Sequence, residues 1–342
     1  MPPKTPPKGD HGDFIHRQSA HCESGSTSNL LLNYGIAASE PLVFGIGSGI
    51  FFGYFPFLKV QGMPAITYRS APGRILKNTA RRLGIRFEKF TFKDPEKAMD
   101  TLDEIVDNGI PVGLQTGVYW LPYFPDALRF HFNAHTLIVY GRNGDGYLIS
   151  DPVFDEPVTC SRKDLMKARF AEGMLAPKGK MYYLSDIRGK ADIPGAIKKG
   201  IREACRLMIK THVPIIGTGG IRWFGKALRR WPEKYGERKA ILYLGHAIRM
   251  QEEIGTGGGG FRLMYAAFLH EAAQILGDVR LLEMSKRMTA IGDRWREFAL
   301  YAARICKNRS AAGDNFDLLS DIVLDCSEQE RRFFSDLSET VR

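Results

Sequence analysis

The first half of the chain alternates between two apolar patterns, one with the period of a helix and one with the two-residue period of a strand. Helical spacing predicts helices over residues 24–33, 72–83 and 95–108, and alternation predicts strands over 85–92, 110–115, 135–140, 147–150 and 181–184. Asp94-Pro95 marks one helix start, because aspartate caps a helix and proline is favoured in its first turn. Since helices come first and strands follow, the pattern predicts an α+β domain.

The second half of the chain differs, because strand-like alternation is rare after about residue 191. Apolar residues recur at helical spacing over 196–210, 240–253, 261–276 and 280–305, which predicts a mainly α-helical C-terminal domain. The first residues are rich in Pro and Lys and predict a disordered leader. We therefore expect a leader over 1–12, an α+β domain over 13–188 and a helical domain over 189–342, in line with two domains for 342 residues.

Charge narrows the choice of partner. The chain has 48 Lys and Arg against 38 Asp and Glu, a net charge of +10 that favours an acidic partner. No motif of a DNA- or RNA-binding domain accompanies this charge, so nucleic acid is not expected. Two basic sets could dock an acidic partner or could be ordinary solvated faces: Lys198, Lys199, Arg202 and Arg206, and then Arg229, Arg230, Lys234, Arg238 and Lys239.

Cysteine usage and hydropathy indicate the compartment. The five cysteines are scattered without CxxC spacing, which predicts free thiols in a reducing compartment and argues against a zinc ribbon. The start of the chain lacks the apolar run of a secretory signal. The apolar stretch over 45–60 is too short and too rich in glycine to span a bilayer. We expect a cytoplasmic protein with no integral membrane segment and no metal.

Cys22 is the first candidate for chemistry, because it lies next to a predicted helix start among the polar residues His21, Glu23 and Ser24. The backbone N–H groups at a helix N-terminus stabilise a thiolate, and the thiolate is the form that attacks a carbonyl carbon. An inert, buried cysteine is the alternative, although its neighbours in sequence would more often be apolar.

His135 and Asp151 are the second and third candidates. His135 opens one predicted strand and Asp151 follows the next, and a tight hairpin brings the start of the first strand beside the end of the second. The carboxylate would then orient the imidazole, and the imidazole would deprotonate the Cys22 thiol. A structural histidine beside an Asp-Pro turn would show the same pattern, so the order Cys, His, Asp carries more weight than any one residue.

These residues carry a resemblance to a known family. His21-Cys22-Glu23-Ser24, the segments 29–35, 42–47 and 135–141, and Asp151-Pro152 resemble the N-terminal domain of butirosin biosynthesis protein H (BtrH), a papain-like domain related to C39 peptidases. The glycine-rich segment 255–262 and the residues around 265–273 resemble the helical domain that often follows it. The resemblance implies a papain-like cysteine-enzyme N-terminal domain with a mainly α-helical C-terminal domain.

The resemblance also implies an activity. BtrH-like enzymes move an acyl group from the phosphopantetheine thioester of an acidic acyl carrier protein, through an enzyme thioester, to a small-molecule amine acceptor. No cofactor need be bound, since phosphopantetheine is the arm of the donor. Such a reaction belongs to specialised-metabolite or lipid biosynthesis. A papain-like hydrolase, either a peptidase or an amidase, would use the same three residues, and a non-catalytic carrier-binding protein could retain the same fold.

One departure concerns the oxyanion hole. Papain-like peptidases place a glutamine where this chain has His16, and Gln18 lies two residues further on. The candidates for the oxyanion donor are therefore the backbone N–H of Cys22 with the side chain of His16 or Gln18.

Further residues are candidates for binding substrate. Aromatic residues among glycines, including Phe51 and Phe55, could form the wall of an acyl-chain tunnel or simply pack in a core. Trp120 and Tyr123, in a loop before His135, could shape the acceptor pocket or anchor that loop. The remaining candidates are Gly257, Gly258 and Arg262, in a loop before a helix that could bind phosphate or could be an ordinary connection.

Overall fold

The computed structural model describes residues 14–60, 62–144, 146–211 and 213–341. The predicted leader over 1–12 lies outside the described residues. The chain divides into two compact units. The first takes the chain up to Val43 together with Leu76–Asp192, and the second takes Phe44–Ile75 together with the chain from Ile193 onward.

The helices and strands of the described residues follow in chain order. The helices are α1 (Cys22–Asn33), α2 (Glu40–Ile46), α3 (Arg74–Leu83), α4 (Pro95–Asp107), α5 (Arg162–Arg169), α6 (Ile193–Ile209), α7 (Gly217–Arg229), α8 (Trp231–Tyr235), α9 (Glu237–Glu252), α10 (Arg262–Leu276), α11 (Val279–Cys306) and α12 (Phe316–Thr340). The strands are β1 (Ile50–Val60), β2 (Met63–Arg69), β3 (Ile85–Phe90), β4 (Val112–Thr116), β5 (His135–Asn143), β6 (Gly146–Ser150), β7 (Val158–Ser161) and β8 (Met181–Ile187). Short 3-10 turns cover Val118–Trp120, Asp126–Leu128 and Gly259–Phe261.

A six-stranded sheet in the order β3-β8-β4-β5-β6-β7 forms the centre of the first unit, and the neighbouring strands are antiparallel. Side chains alternate between its faces along β5. Leu137 and Val139 pack into a large apolar core with α4 and α5, while Ile138 packs with Leu30 of α1 on the other face. The α+β class is therefore confirmed, and α1 lies against the strand that begins with His135.

Local sequence explains where two of the helices, α4 and α1, begin. The Asp94 carboxylate caps α4 by accepting hydrogen bonds from the backbone N–H groups of Glu96 and Lys97, with Pro95 as the first helical residue. Helix α1 begins at Cys22, two residues earlier than predicted, because the His21 side chain serves as its N-cap. The candidate cysteine is thus the first residue of the helix.

The second unit contains the hairpin of β1 and β2 and helices α6 to α12. Aromatic side chains fill its interior. The Phe52 ring lies 6.0 Å from Trp295 and 5.9 Å from Phe224, and the Tyr54 backbone N–H donates to the Ile215 carbonyl at 3.0 Å. These contacts explain why residues 44–75 belong to the helical unit, whereas the sequence prediction assigns them to the α+β domain. In the described parts of the chain, no helix combines the length and apolar character needed to cross a bilayer.

Candidate active site

The Cys22 side chain lies at the first turn of α1 and is buried, with 7% of its surface exposed. The His21 imidazole accepts a hydrogen bond from the Ser24 backbone N–H at 3.4 Å. The Glu40 carboxylate accepts two more, from the backbone N–H groups of Ala20 at 2.9 Å and His21 at 2.7 Å. The backbone before the cysteine is therefore fixed by a carboxylate that the sequence analysis did not single out.

His135 and Asp151 meet at the end of the β5–β6 hairpin. Ile138 pairs with Ser150, so the start of β5 lies beside the residue that follows β6. The Nε2–H of His135 donates to Oδ2 of Asp151 over 2.6 Å, and both side chains are buried. This is the juxtaposition that the hairpin pattern predicts.

The Cys22 thiol is the other hydrogen-bond partner of the His135 imidazole. Burial by itself disfavours the imidazolium, but the charge of Asp151, its hydrogen bond and the neighbouring Cys22 outweigh burial and raise the pKa of His135 to about 10. At neutral pH the ring is therefore an imidazolium held between a carboxylate and a sulfur.

Two further groups hold the Asp151 carboxylate. The Tyr123 hydroxyl donates to Oδ2 at 2.9 Å, and the Val153 backbone N–H donates to Oδ1 at 3.3 Å. The ring of Phe124 meets the His135 imidazole edge to face, with centroids 5.4 Å apart. The acid–imidazole contact is thus covered by an aromatic ring.

The two side-chain candidates for the oxyanion hole have different environments. Both ring nitrogens of His16 are engaged, Nδ1 with the Ser150 hydroxyl at 2.8 Å and Nε2 with the Phe154 carbonyl at 3.0 Å. His16 therefore anchors the chain to β6 and the loop after it, and it has no ring N–H left to bind an oxyanion. Gln18 is exposed and remains, with the backbone N–H of Cys22, a candidate for that role.

The aromatic candidates fall in both units. Trp120 is 39% exposed in a 3-10 turn, with the Lys167 ammonium 5.8 Å from its ring centre. Phe51 and Phe55 are half-buried on β1 of the second unit. Their part in an acyl-chain site stays a prediction.

The glycine-rich loop that carries Gly257 and Gly258 makes hydrogen bonds within the protein. The Gly258 N–H donates to the Thr256 hydroxyl at 3.1 Å, and the Gly259 N–H donates to the Glu252 carboxylate at 3.1 Å. Oxygen atoms of the protein therefore accept from these two N–H groups.

Arg262 is fully buried and serves the interior of the second unit. Its guanidinium donates to both oxygens of Glu330, at 2.9 Å each, and to the Gly260 carbonyl at 2.7 Å. The Trp295 indole N–H donates to the same Glu330 carboxylate at 2.7 Å. The guanidinium of Arg262 is thus held in this ion pair, and phosphate binding by Gly257, Gly258 and Arg262 stays a prediction.

Within the described ranges, no three His, Cys, Asp or Glu side chains are grouped so that they could hold a metal ion. All five cysteines fall in those ranges and are free thiols. The structure brings the side chains of Cys22, His135 and Asp151 together.

This fold and this site define a class of protein. A cysteine at the start of a buried helix, facing a histidine and an aspartate on an antiparallel sheet, is the arrangement of a papain-like cysteine enzyme. The comparisons with known sequences define the family. Residues 21–152 match the family described as butirosin biosynthesis protein H, N-terminal, and residues 163–337, half of the chain, match a domain of unknown function, DUF4872. The chain belongs to the DUF4872 family, with a BtrH-like domain as its N-terminal part.

Other comparisons add little to this assignment. No curated protein matches the chain. The solved structure of a protein described as a C39-like peptidase from Bacillus anthracis is similar over 52% of this chain and 96% of its own, at 17% identity and a TM-score of 0.36. The family assignment rests on the two sequence families.

Proposed function

We propose that the protein is an acyltransferase that moves an acyl group from the phosphopantetheine thioester of an acyl carrier protein, through a thioester on Cys22, to an amine acceptor. The observation that carries the proposal is the contact of the Cys22 thiol with His135, whose imidazolium is held by Asp151 at 2.6 Å. The match to a family named for a biosynthetic protein favours synthesis over degradation.

The first half of the reaction forms the acyl-enzyme. The Cys22 thiolate attacks the thioester carbonyl carbon, and a C–S bond forms as the carbonyl π electrons move to oxygen. The tetrahedral intermediate collapses, the carrier C–S bond breaks, and the leaving thiolate takes the proton of the His135 imidazolium. Exchange between two thioesters is nearly thermoneutral, so the acyl group remains activated.

The second half transfers the acyl group. The neutral His135 imidazole takes a proton from the acceptor amine as the amine nitrogen attacks the Cys22 thioester. The C–S bond breaks and an amide leaves, while the enzyme returns to its thiolate–imidazolium state. Asp151 holds the ring in place throughout.

Intact-protein mass spectrometry tests the first half. The full chain is incubated with carrier proteins loaded with acyl groups of increasing length, and with the matching acyl-pantetheine thioesters that lack the carrier. We expect an acyl mass on Cys22, identified in a peptide digest. Cys22→Ala should remove the adduct, while Cys205→Ala, which alters a buried cysteine of the second unit, should keep it.

Adding amines to the isolated acyl-enzyme tests the second half. Conversion to an amide faster than the loss of the adduct in buffer supports transfer. Equal loss with and without every amine would show a hydrolase. An active protein that carries no adduct with any donor, and whose activity survives Cys22→Ala, would exclude catalysis by this sulfur.

A further inference from the structure

The Tyr123 hydroxyl shares one oxygen with the imidazole of the site. It donates to Oδ2 of Asp151 at 2.9 Å, and the same oxygen accepts the Nε2–H of His135 at 2.6 Å. The other oxygen, Oδ1, accepts the Val153 backbone N–H at 3.3 Å. A carboxylate held by donors on both oxygens cannot rotate without breaking a hydrogen bond, and its direction sets the direction of the imidazole.

The surroundings of Tyr123 fix its hydroxyl and keep it protonated. Its ring packs against Phe124, with centroids 5.3 Å apart, and meets Phe154 edge to face at 5.4 Å. Burial, followed by the negative charge of Asp151, raises the pKa of Tyr123 well above its ordinary value. The hydroxyl is therefore a permanent donor over the pH range in which the enzyme would work.

We propose that Tyr123 is a positioning residue of the site, whose hydroxyl fixes the Asp151 carboxylate so that Asp151 aims His135 at the Cys22 sulfur. This inference rests on the proposed function. Tyr123 would then act on His135 through Asp151, and not as part of the acceptor pocket that the sequence suggested. Removal of the hydroxyl should weaken the alignment of the imidazolium with the sulfur while Cys22, His135 and Asp151 remain.

A nearby tyrosine provides a matched control. Tyr119 lies in the same loop region, is 42% exposed, and stacks on the His131 ring at 4.2 Å. Tyr119→Phe also removes a tyrosine hydroxyl, but from a ring that stacks on His131 and not from the hydrogen bond to Asp151.

Several titratable groups are linked to the site by hydrogen bonds or electrostatic interactions, and they are common to all the variants below. Besides Asp151 and Tyr123 they are His21 and Glu23 of the α1 start, Glu40 of α2, Tyr182 of β8, which interacts electrostatically with Cys22 and Glu23, and Cys160 of β7, which interacts with Tyr123. Comparing variants at equal pH separates the Tyr123 effect from the titration of these groups.

The experiment measures alkylation of Cys22 by iodoacetamide from pH 5 to pH 10, with rates read from the Cys22 peptide by mass spectrometry. In the full-length protein, Cys22 should react faster at pH 6 than the partly exposed Cys306, because only Cys22 lies beside an imidazolium. Tyr123→Phe should slow Cys22 about fivefold at pH 6, the effect of losing one typical hydrogen bond, and leave the rate at pH 10 unchanged. Tyr119→Phe should match the wild type at every pH.

A double-mutant cycle tests whether Tyr123 acts through Asp151. In an Asp151→Asn background, the further change Tyr123→Phe should alter the rate at pH 6 by less than about twofold, because the carboxylate it positions is gone. Independent effects of the two changes would overturn the inference. So would a wild-type pH profile in Tyr123→Phe, or an equal slowing at every pH together with a lower unfolding temperature, which is the mark of a purely structural role.

A different alkylation result would show that the proposed function itself fails. If wild-type Cys22 reacts no faster than Cys306 at pH 6, the sulfur is not activated and the enzyme proposal itself is overturned. If wild-type Cys22 is fast and Tyr123→Phe is equally fast, only the role of Tyr123 is lost.

Discussion

The imidazole of His135 and the carboxylate of Asp151 are joined by a 2.6 Å hydrogen bond across the open end of a β-hairpin. The bond is local in the sheet, since the two residues flank paired strands, and it is buried from water. Because both partners are buried, the charge of the aspartate acts on the imidazole with little screening by solvent. The bond therefore decides the charge state of the group that touches Cys22.

Replacing His135 should remove both activity and a pH-dependent part of stability. Proton transfer by a positioned side chain contributes about 10²–10⁴-fold, so His135→Gln should slow acylation of Cys22 by that order. The pKa of His135 is raised to about 10 by Asp151 and Cys22 against the effect of burial. Its stabilising contribution is then complete below the ordinary pKa of about 6.5 and is lost as the pH rises through about 10.

Urea unfolding between pH 6 and pH 10 measures this contribution. The unfolding midpoint of the wild type should fall more steeply over this range than that of His135→Gln. Parallel curves for the two proteins would show that the histidine does not carry a raised pKa.

Glu40 should also make stability fall as the pH rises, but over a lower range of pH. Burial, against the lowering effect of its backbone and Ser24 hydrogen bonds, raises the pKa of Glu40 above 4.5. Above that pH the unfolded chain ionises the carboxyl while the folded protein still holds the proton, so folding loses stability as the pH rises. Glu40→Gln leaves one backbone N–H without its acceptor and should cost about 1–3 kcal/mol at pH 4.

The difference between wild type and Glu40→Gln should then narrow from pH 4 to pH 7 in urea unfolding, with Glu104→Gln, a change at an exposed glutamate, as the control. A constant or widening difference would contradict the raised pKa. Slower alkylation of Cys22 in Glu40→Gln would in addition show that the clamp on Ala20 and His21 supports the nucleophile.

The buried ion pair of Arg262 and Glu330 should be essential to the second unit. Glu330→Gln leaves the guanidinium buried beside an amide, and removing one partner of a buried pair costs about 3–5 kcal/mol. The double change Arg262→Met with Glu330→Leu should recover most of that loss, because neither charge remains. Glu328→Gln, on the exposed side of the same helix, should leave the urea midpoint nearly unchanged.

Gly260 should tolerate no side chain. Its φ is +58°, and a Cβ would lie 2.5 Å from the Tyr68 ring, so Gly260→Ala adds a steric clash to the strain of a left-handed residue. Gly277 has a φ of +64° but no atom within 4 Å of the added carbon. Gly260→Ala should therefore be less stable than Gly277→Ala by about 1–3 kcal/mol in chemical unfolding, and equal losses would contradict the close packing.

The basic side chains of α6 offer a test of carrier docking. Lys198 and Lys199 are exposed, while Arg206 is paired with Glu203 at 2.8 Å. Under the proposed function, reversing Lys198 and Lys199 to Glu should raise the KM for an acyl carrier protein about tenfold at low salt, and less at high salt. The KM for acyl-pantetheine should not change. An equal effect on both donors would place the change outside carrier docking.

The parts of the site that could be predicted are those set by local geometry. A hairpin turn brings His135 beside Asp151 whatever else the chain does, and a helix start places Cys22 at the end of α1. The Tyr123 hydrogen bond could not be predicted, because it depends on the path of an irregular loop. For Glu40 the sequence offers only a weak indication of a role, since a glutamate before a proline is typical of a helix start such as that of α2. Nothing in the sequence indicates that its hydrogen-bond partners are the backbone N–H groups of Ala20 and His21.

Some features could not be decided from the sequence, because their patterns have two physical solutions. A glycine-rich loop followed by an arginine is equally suited to binding a phosphate and to packing tightly beside a buried ion pair. The partner that decides, Glu330, lies 68 residues further along the chain. The hairpin of β1 and β2 was missed for a related reason, since its register is interrupted by irregularities and by glycine and proline.

The way in which the second unit is assembled from the chain limits which fragments can be expressed or exchanged. Its aromatic interior is built by two separate stretches of chain, and the first of them, Phe44–Ile75, lies outside the residues 163–337 that match DUF4872. A gene fragment that begins at residue 163 would leave Trp295 and Phe224 without Phe52, so their rings would face water or other molecules. Exchanging this unit between relatives requires three junctions, near residues 43, 75 and 192, because a single crossover would pair Phe52 of one protein with Trp295 and Phe224 of another.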